Sequence, residues 1–180
     1  MKKVAKFGGS SLASAGQMKK VADIIHADET RRFVVPSAPG KRYSDDVKVT
    51  DLLYRCYDAA AAGEDIDGRL KEIQARYQEI IEGLELDLNL DEEFAVMRDY
   101  FQRQAGRDYA ASRGEYLNGL VMAKYLGFKF IDAAEVVLFD ERGNFDAEHT
   151  NEVMRQRLKN MDNAVIPGFY GAMPDGSIKT

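Results

Sequence analysis

Two short apolar strands separated by one amphipathic helix constrain this chain more than any other feature. Lys3 to Phe7 and Arg32 to Val35 read as buried strands, and Met18, Val21, Ala22 and Ile25 recur between them at helical spacing. Such a β-α-β unit pairs its strands in parallel through a right-handed crossover. The first strand carries Lys6 and runs straight into Gly8-Gly9-Ser10-Ser11. A strand that ends in paired glycines and opens a helix presents unpaired N–H groups at a helix N-terminus, where the dipole also favours a phosphate. The plain alternative is a tight turn beside a solvated lysine.

The second strand ends in Pro36-Ser37-Ala38-Pro39-Gly40, which cannot continue regular pairing, and the polar stretch Lys41 to Lys48 extends that loop. Four helical stripes follow: Val49, Leu52, Leu53, Cys56 and Ala60; Leu70, Ile73, Tyr77, Ile80 and Leu84; Phe94, Met97 and Phe101; Leu117, Leu120 and Val121. Asp87 to Asp91 separates the second from the third. Phe128 to Ile131, Val136 to Phe139 and Ala164 to Pro167 read as strands. A helix through Val153, Met154, Leu158 and Met161 precedes the last of these. Pro174-Asp175-Gly176 makes a turn into one more extended segment, Ser177 to Thr180. The pattern predicts an α/β sandwich with a mostly parallel sheet and a helical lobe at about 49–126 inserted after the second strand.

Bulk properties exclude several classes. At 180 residues with 45% hydrophobic and 31% charged residues, the composition is that of a water-soluble globular domain. A net charge of -5, with basic residues scattered among acidic ones, argues against nucleic-acid binding. No apolar run approaches a membrane span, and no secretory signal is visible after Met1. The single cysteine, Cys56, allows no internal disulfide and fits a reducing compartment, so a cytoplasmic location is expected.

Few residues offer chemistry. His26 and His149 stand apart on separate helices with no ligand neighbours, which leaves no metal site and reads both as surface histidines. Cys56 lies on an apolar helix face and reads as core. Ala38-Pro39-Gly40-Lys41-Arg42 lacks the earlier glycine and the following Ser or Thr of a P-loop, and no G-x-G-x-x-G occurs. Three polar segments remain. Thr50-Asp51 opens a helix, with capping as its plainest role. Ser37 ends the second strand, where open α/β sheets place ligands, or bonds its own loop backbone. Ser112 to Gly119 reads as helix yet holds Gly114 and Gly119, each costing about 1 kcal/mol against alanine. Those glycines predict a close approach to the helix backbone, with Glu115 either solvated or facing a cationic group across it.

Taken together these segments resemble the aspartate kinases of the amino-acid-kinase superfamily. Lys6-Phe7-Gly8-Gly9-Ser10-Ser11 is similar to their opening K-F-G-G-[ST]-S, and Val34-Val35-Pro36-Ser37-Ala38 to their second strand. Val49-Thr50-Asp51-Leu52-Leu53 resembles their threonine-bearing helix start, Ser112-Arg113-Gly114-Glu115 their S-x-G-E, and Gly168-Phe169-Tyr170-Gly171 their G-F-x-G. The matches run through the whole chain in order.

The resemblance implies a three-layer αβα sandwich of the carbamate-kinase-like type and ATP-dependent phosphorylation of the L-aspartate side chain to 4-phospho-L-aspartate. That reaction is the first step of lysine, threonine and methionine biosynthesis. By the same likeness Lys6 contacts the transferring phosphoryl group and Gly8, Gly9 and Ser10 form the phosphate-side turn. Thr50 and Glu115 hold the amino acid, Glu115 through its ammonium, and Ser37 and Phe169 line the same pocket. ATP and Mg²⁺ are the implied cofactors, and the full-length enzyme is expected to be a homo-oligomer. Two departures stand out. The loop from Pro39 to Lys48 is longer than in many members. Members also continue beyond the equivalent of Thr180 into a G-R-G-G-S-D segment, an adenine-binding half and regulatory ACT domains. The expectation is therefore an acceptor-side part that is inactive by itself. A glutamate 5-kinase or acetylglutamate-kinase type of enzyme and a non-catalytic assembly module are the alternatives. An aspartate carboxylate is already ionised at neutral pH, so the reaction needs no general base.

Overall fold

The computed structural model describes residues 1–180. Strands β1 (Lys3–Phe7), β2 (Arg31–Pro36), β3 (Lys129–Phe130) and β4 (Ala164–Val165) form one parallel sheet in the order β1-β2-β4-β3. A separate antiparallel hairpin joins β5 (Gly171–Ala172) to β6 (Ile178–Lys179). Helix α1 (Ala15–His26) supplies the crossover from β1 to β2. Between β2 and β3 lie α2 (Val49–Ala61), α3 (Asp67–Gly83), α4 (Asp91–Gln102) and α5 (Arg107–Leu126), the helical lobe foreseen in the sequence. A single helical turn α6 (Ala133–Val136) and the helix α7 (Ala147–Leu158) complete the chain.

Alternation along the strands divides the core in two. Val34 and Val165 point into a cluster with Leu12, α1 and the helical lobe. Phe33, Ala164 and Ile166 point the other way, into a cluster with Val136, Tyr170, Val153, Met154 and Leu158. The result is helix, sheet and helix in three layers, as expected. The second helical layer does not reach β1, where Val4 is 68% exposed. In the first layer α5 is the axis: it packs on β2, β3, β4, β6, α2 and α4, and fourteen of its twenty residues are buried.

Three local expectations change. Val136 to Phe139 is not a strand. Asp132 accepts from the Ala134 N–H and starts α6, which buries Ala133 and Val136 three residues apart. Leu138 and Phe139 then make only isolated bridges to Ala172 and Phe145. The glycine-serine turn does not sit at an α-helix N-terminus either: Gly9–Leu12 form a 3-10 turn, and α1 starts only after Ser14, which caps it through Gln17. Thr50 is not a cap. Lys48 occupies that position, and Thr50 stands in the first turn of α2.

Candidate active site

The C-terminal ends of β1 and β2 open onto a cleft of about 450 Å³ lined by Gly9, Ser10, Ser37, Ala38, Pro39, Gly40, Lys41, Lys48, Thr50 and Glu115. Backbone contacts build its floor. Gly40 donates its N–H to the Gly9 carbonyl at 2.8 Å, Ser37 donates to Phe7 at 3.1 Å, and Val49 donates to Pro39 at 3.2 Å. A Cβ on Gly114 would stand 2.7 Å from that of Ala38 and 3.3 Å from Leu53. One on Gly119 would stand 2.7 Å from the Pro167 ring and 2.8 Å from Phe130. The close approach that the two helix glycines predicted is therefore present: α5 lies against the end of β2 and the start of the 168–170 turn.

That approach buries Glu115, which is only 6% exposed. Burial pushes its carboxyl up to about 7, and the Ala38 N–H, hydrogen-bonding to it, offsets part of that rise. Its Oε2 is buried with no hydrogen-bond partner. The expected cation across the contact is not supplied by this chain: Glu115 makes no ion pair. A carboxylate held this way is poised for a positively charged ligand. The same cleft is also lined by Lys41 and Lys48, both exposed, and the Lys41 ammonium reaches only the Ser44 carbonyl at 3.1 Å. The cleft thus offers groups for a cation, at Glu115, and for an anion, at the two lysines.

The structure brings Gly9, Ser10, Ser37, Thr50 and Glu115 together around this cleft. Lys6 and Gly8 are not among the residues that line it. Lys6 is exposed, has no ion-pair partner, and stands on the same face of the sheet as Val4 and Val35. Phe169 lines a different, apolar groove with Val4, Phe33 and Val35, and is 55% exposed at a φ of 79°. His26 and His149 are exposed, and Cys56 is fully buried, with burial pushing its thiol up to about 11.

Three residues that shape the cleft carried no motif. Lys48 is one. Asn118, fully buried one turn beyond Glu115, donates through Nδ2 to the Ser37 carbonyl at 2.7 Å. Arg76 of α3 donates to the Gly40 carbonyl at 2.9 Å. A polar side chain at core spacing was the available signal in both cases: Asn118 follows Glu115 by three, and Arg76 adjoins Tyr77 on a helix whose apolar face includes Ile73 and Ile80.

Comparison with known proteins places this arrangement in context. The amino acid kinase family matches residues 1–179. Aspartokinase 3 of Bacillus subtilis is 34% identical over 99% of this chain and 42% of its own length. The crystal structure of Clostridium acetobutylicum aspartate kinase superposes with a TM-score of 0.95 at 47% identity, covering 98% of this chain and 41% of that one. Escherichia coli aspartokinase III, solved with aspartate and ADP, shares the fold at a TM-score of 0.82 and 24% identity, over 100% of this chain and 43% of that one. The chain thus spans about two fifths of the length of these relatives.

Proposed function

The chain belongs to the amino acid kinase family, and we propose that it forms the acceptor-binding part of an aspartate kinase, which transfers the γ-phosphoryl group of ATP to the side-chain carboxylate of L-aspartate. The observation that carries this reading is the Glu115 carboxylate, buried, unpaired at Oε2 and lining a cleft that Lys41 and Lys48 also line. The α-ammonium of an amino acid supplies the missing counter-charge. It brings with it a second carboxylate that extends toward Gly9, Ser10 and the lysines.

In this reading the aspartate side-chain oxygen, already ionised, attacks the γ-phosphorus in line. A new O–P bond forms, the bond to the β-phosphate oxygen breaks, and ADP leaves with that electron pair. No proton moves. Lys6, Lys41 and Lys48 and the backbone of Gly8, Gly9 and Ser10 neutralise and align the spreading negative charge. Thr50 and Ser37 flank the amino acid, whereas Phe169, on the separate apolar groove, takes no part in this reading. No group of three or more acidic, histidine or cysteine side chains offers a protein-held cation site. Magnesium, where the nucleotide carries it, would offset part of the phosphate charge that these residues face.

The reading extends to the rest of the enzyme. The adenine is held outside this part of the catalytic domain, and the complete protein works as a cytoplasmic homo-oligomer in lysine biosynthesis. No helix is long and apolar enough to cross a membrane.

A substrate panel tests it. With ATP, the complete protein should phosphorylate L-aspartate and discriminate against succinate, which lacks the ammonium, by roughly a hundredfold or more in kcat/KM. Equal use of succinate, or a preference for glutamate or acetylglutamate, would overturn the assignment.

A further inference from the structure

From Ser37 to Lys48 no residue belongs to a helix or strand, yet this segment supplies Lys41, Lys48 and the Gly40 amide to the cleft. A single side chain ties its two ends together. The Arg76 guanidinium, 5% exposed, donates through Nη2 to the Gly40 carbonyl at 2.9 Å and through Nη1 to the Val47 carbonyl at 2.9 Å. It also lies 3.2 Å from the buried carboxylate of Asp46. Asp46 in turn accepts from the Arg42 backbone N–H and guanidinium at 2.9 and 2.8 Å, and Arg42 reaches Glu79 of α3 at 2.7 Å.

Burying a guanidinium is costly unless its partners are well placed, and replacing such a group with apolar side chains is often neutral or stabilising. Stability alone is therefore a weak reason for Arg76 to stand here. Geometry is a better one. A planar fork fixes two carbonyls and a carboxylate relative to one another, which the point charge of a lysine does not do. The carbonyl it holds belongs to Gly40, the residue whose N–H meets Gly9.

We propose that Arg76 is a positioning residue for the phosphoryl end of the cleft: it pins both ends of the 40–47 loop to α3, and so holds Gly40 against Gly9 and sets Lys41 and Lys48, without touching a reactant. The proposal rests on reading the cleft as the site of phosphoryl transfer. The amino-acid end is braced separately, through Asn118 and Ser37, and Thr50 is fixed by α2. Loss of Arg76 should thus act on turnover rather than on aspartate binding.

The test is Arg76→Lys in the complete protein, read by steady-state kinetics and amide hydrogen exchange. The expected result is a kcat lower by roughly tenfold or more, with the aspartate KM within about threefold of wild type. The Gly40 and Val49 amides should exchange about tenfold faster while those of α5 keep their protection. Faster exchange with an unchanged kcat would overturn the proposal. So would a general loss of protection across α2, α3 and α5 with normal turnover per folded molecule. Should Arg76→Lys not fold, Asp46→Asn replaces it: the same local signature, smaller in size, supports the proposal, and unchanged exchange and kcat refute it. A wild-type protein that phosphorylates no aspartate defeats the functional reading and the turnover claim with it. The exchange measurement needs no substrate, and so separates that outcome from failure of the brace itself.

Discussion

Gly40 donates its backbone N–H to the Gly9 carbonyl at 2.8 Å, and neither residue has room for a side chain. A Cβ on Gly9 would stand 2.8 Å from the Ala38 carbonyl oxygen, and one on Gly40 would stand 2.7 Å from the Gly9 carbonyl carbon. Both obstacles are backbone, which cannot rotate aside. Two glycines more than thirty residues apart in sequence therefore define one crossing point, and that crossing forms part of the cleft wall.

Gly9→Ala and Gly40→Ala are each expected to destabilise the protein by about 1–3 kcal/mol through overpacking, seen as a lower midpoint in urea. Gly16→Ala is the control. A Cβ there meets nothing nearer than Ser14 Oγ at 4.0 Å, inside the first turn of α1. It should hold or raise stability, by up to about 1 kcal/mol.

Glu115 gives a pH signature with a definite sign. Its folded-state carboxyl, pushed up from 4.5 to about 7 by burial, binds a proton more readily than in the unfolded chain. Between those two values the native state therefore holds more protons, and stability falls as pH rises. The full loss is about 3 kcal/mol above pH 7. Glu115→Gln should raise the thermal midpoint at pH 8 and leave it nearly unchanged at pH 4.5. Ligand binding should respond in the opposite sense. Aspartate affinity should weaken as pH drops below about 7 and the carboxylate protonates, and the variant should bind poorly at every pH. Calorimetry across pH 5.5–8.5 measures both, and a flat wild-type profile would remove the ammonium role from Glu115.

Asn118 offers a second test of the same corner. Its amide donor is aimed at the Ser37 carbonyl, and its Oδ1 is buried without a partner. Asn118→Asp keeps the shape but turns an acceptor toward that carbonyl. The expected cost is about 2–4 kcal/mol at neutral pH. It should ease in acid, where a protonated carboxyl can donate to Ser37. Denaturation at pH 7 and pH 4 would show the difference, and equal losses at both would refute the donor assignment.

How much of this was legible in the sequence depended on whether a signal was local. The β-α-β unit, the parallel pairing, the four-helix lobe and the close approach at Gly114 and Gly119 follow from periodicity and from misplaced glycines. Val136 to Phe139 did not, because a short apolar run fits a strand and a buried turn equally well; Asp132 decided it by capping. The glycine-serine turn looked like a helix start because nothing in it marks Ser14 as the true cap. Gly9 against Gly40, Asn118 on Ser37 and Arg76 on Gly40 are non-local pairings of ordinary residues. No spacing rule announces them, although a lone arginine or asparagine at core spacing hints that something polar must meet it.

Lys6 remains the residue whose role asks most of the functional reading. It stands near the C-terminal end of β1, one residue before Phe7 and two before Gly8, exposed and without an intramolecular anion. Its charge is thus available to a ligand, and it sits outside the lining of the Glu115 cleft. If it meets the transferring phosphoryl group, its contribution arises as charge spreads in the transition state, not when the amino acid binds. Lys6→Ala should then lower kcat by roughly 10²–10³-fold, while aspartate binding measured by calorimetry stays within about twofold of wild type. A loss confined to aspartate affinity would move Lys6 to the acceptor. Unchanged turnover would leave it a solvated lysine on an edge strand, and the anion site would then rest on Lys41, Lys48 and the Gly9–Ser10 backbone alone.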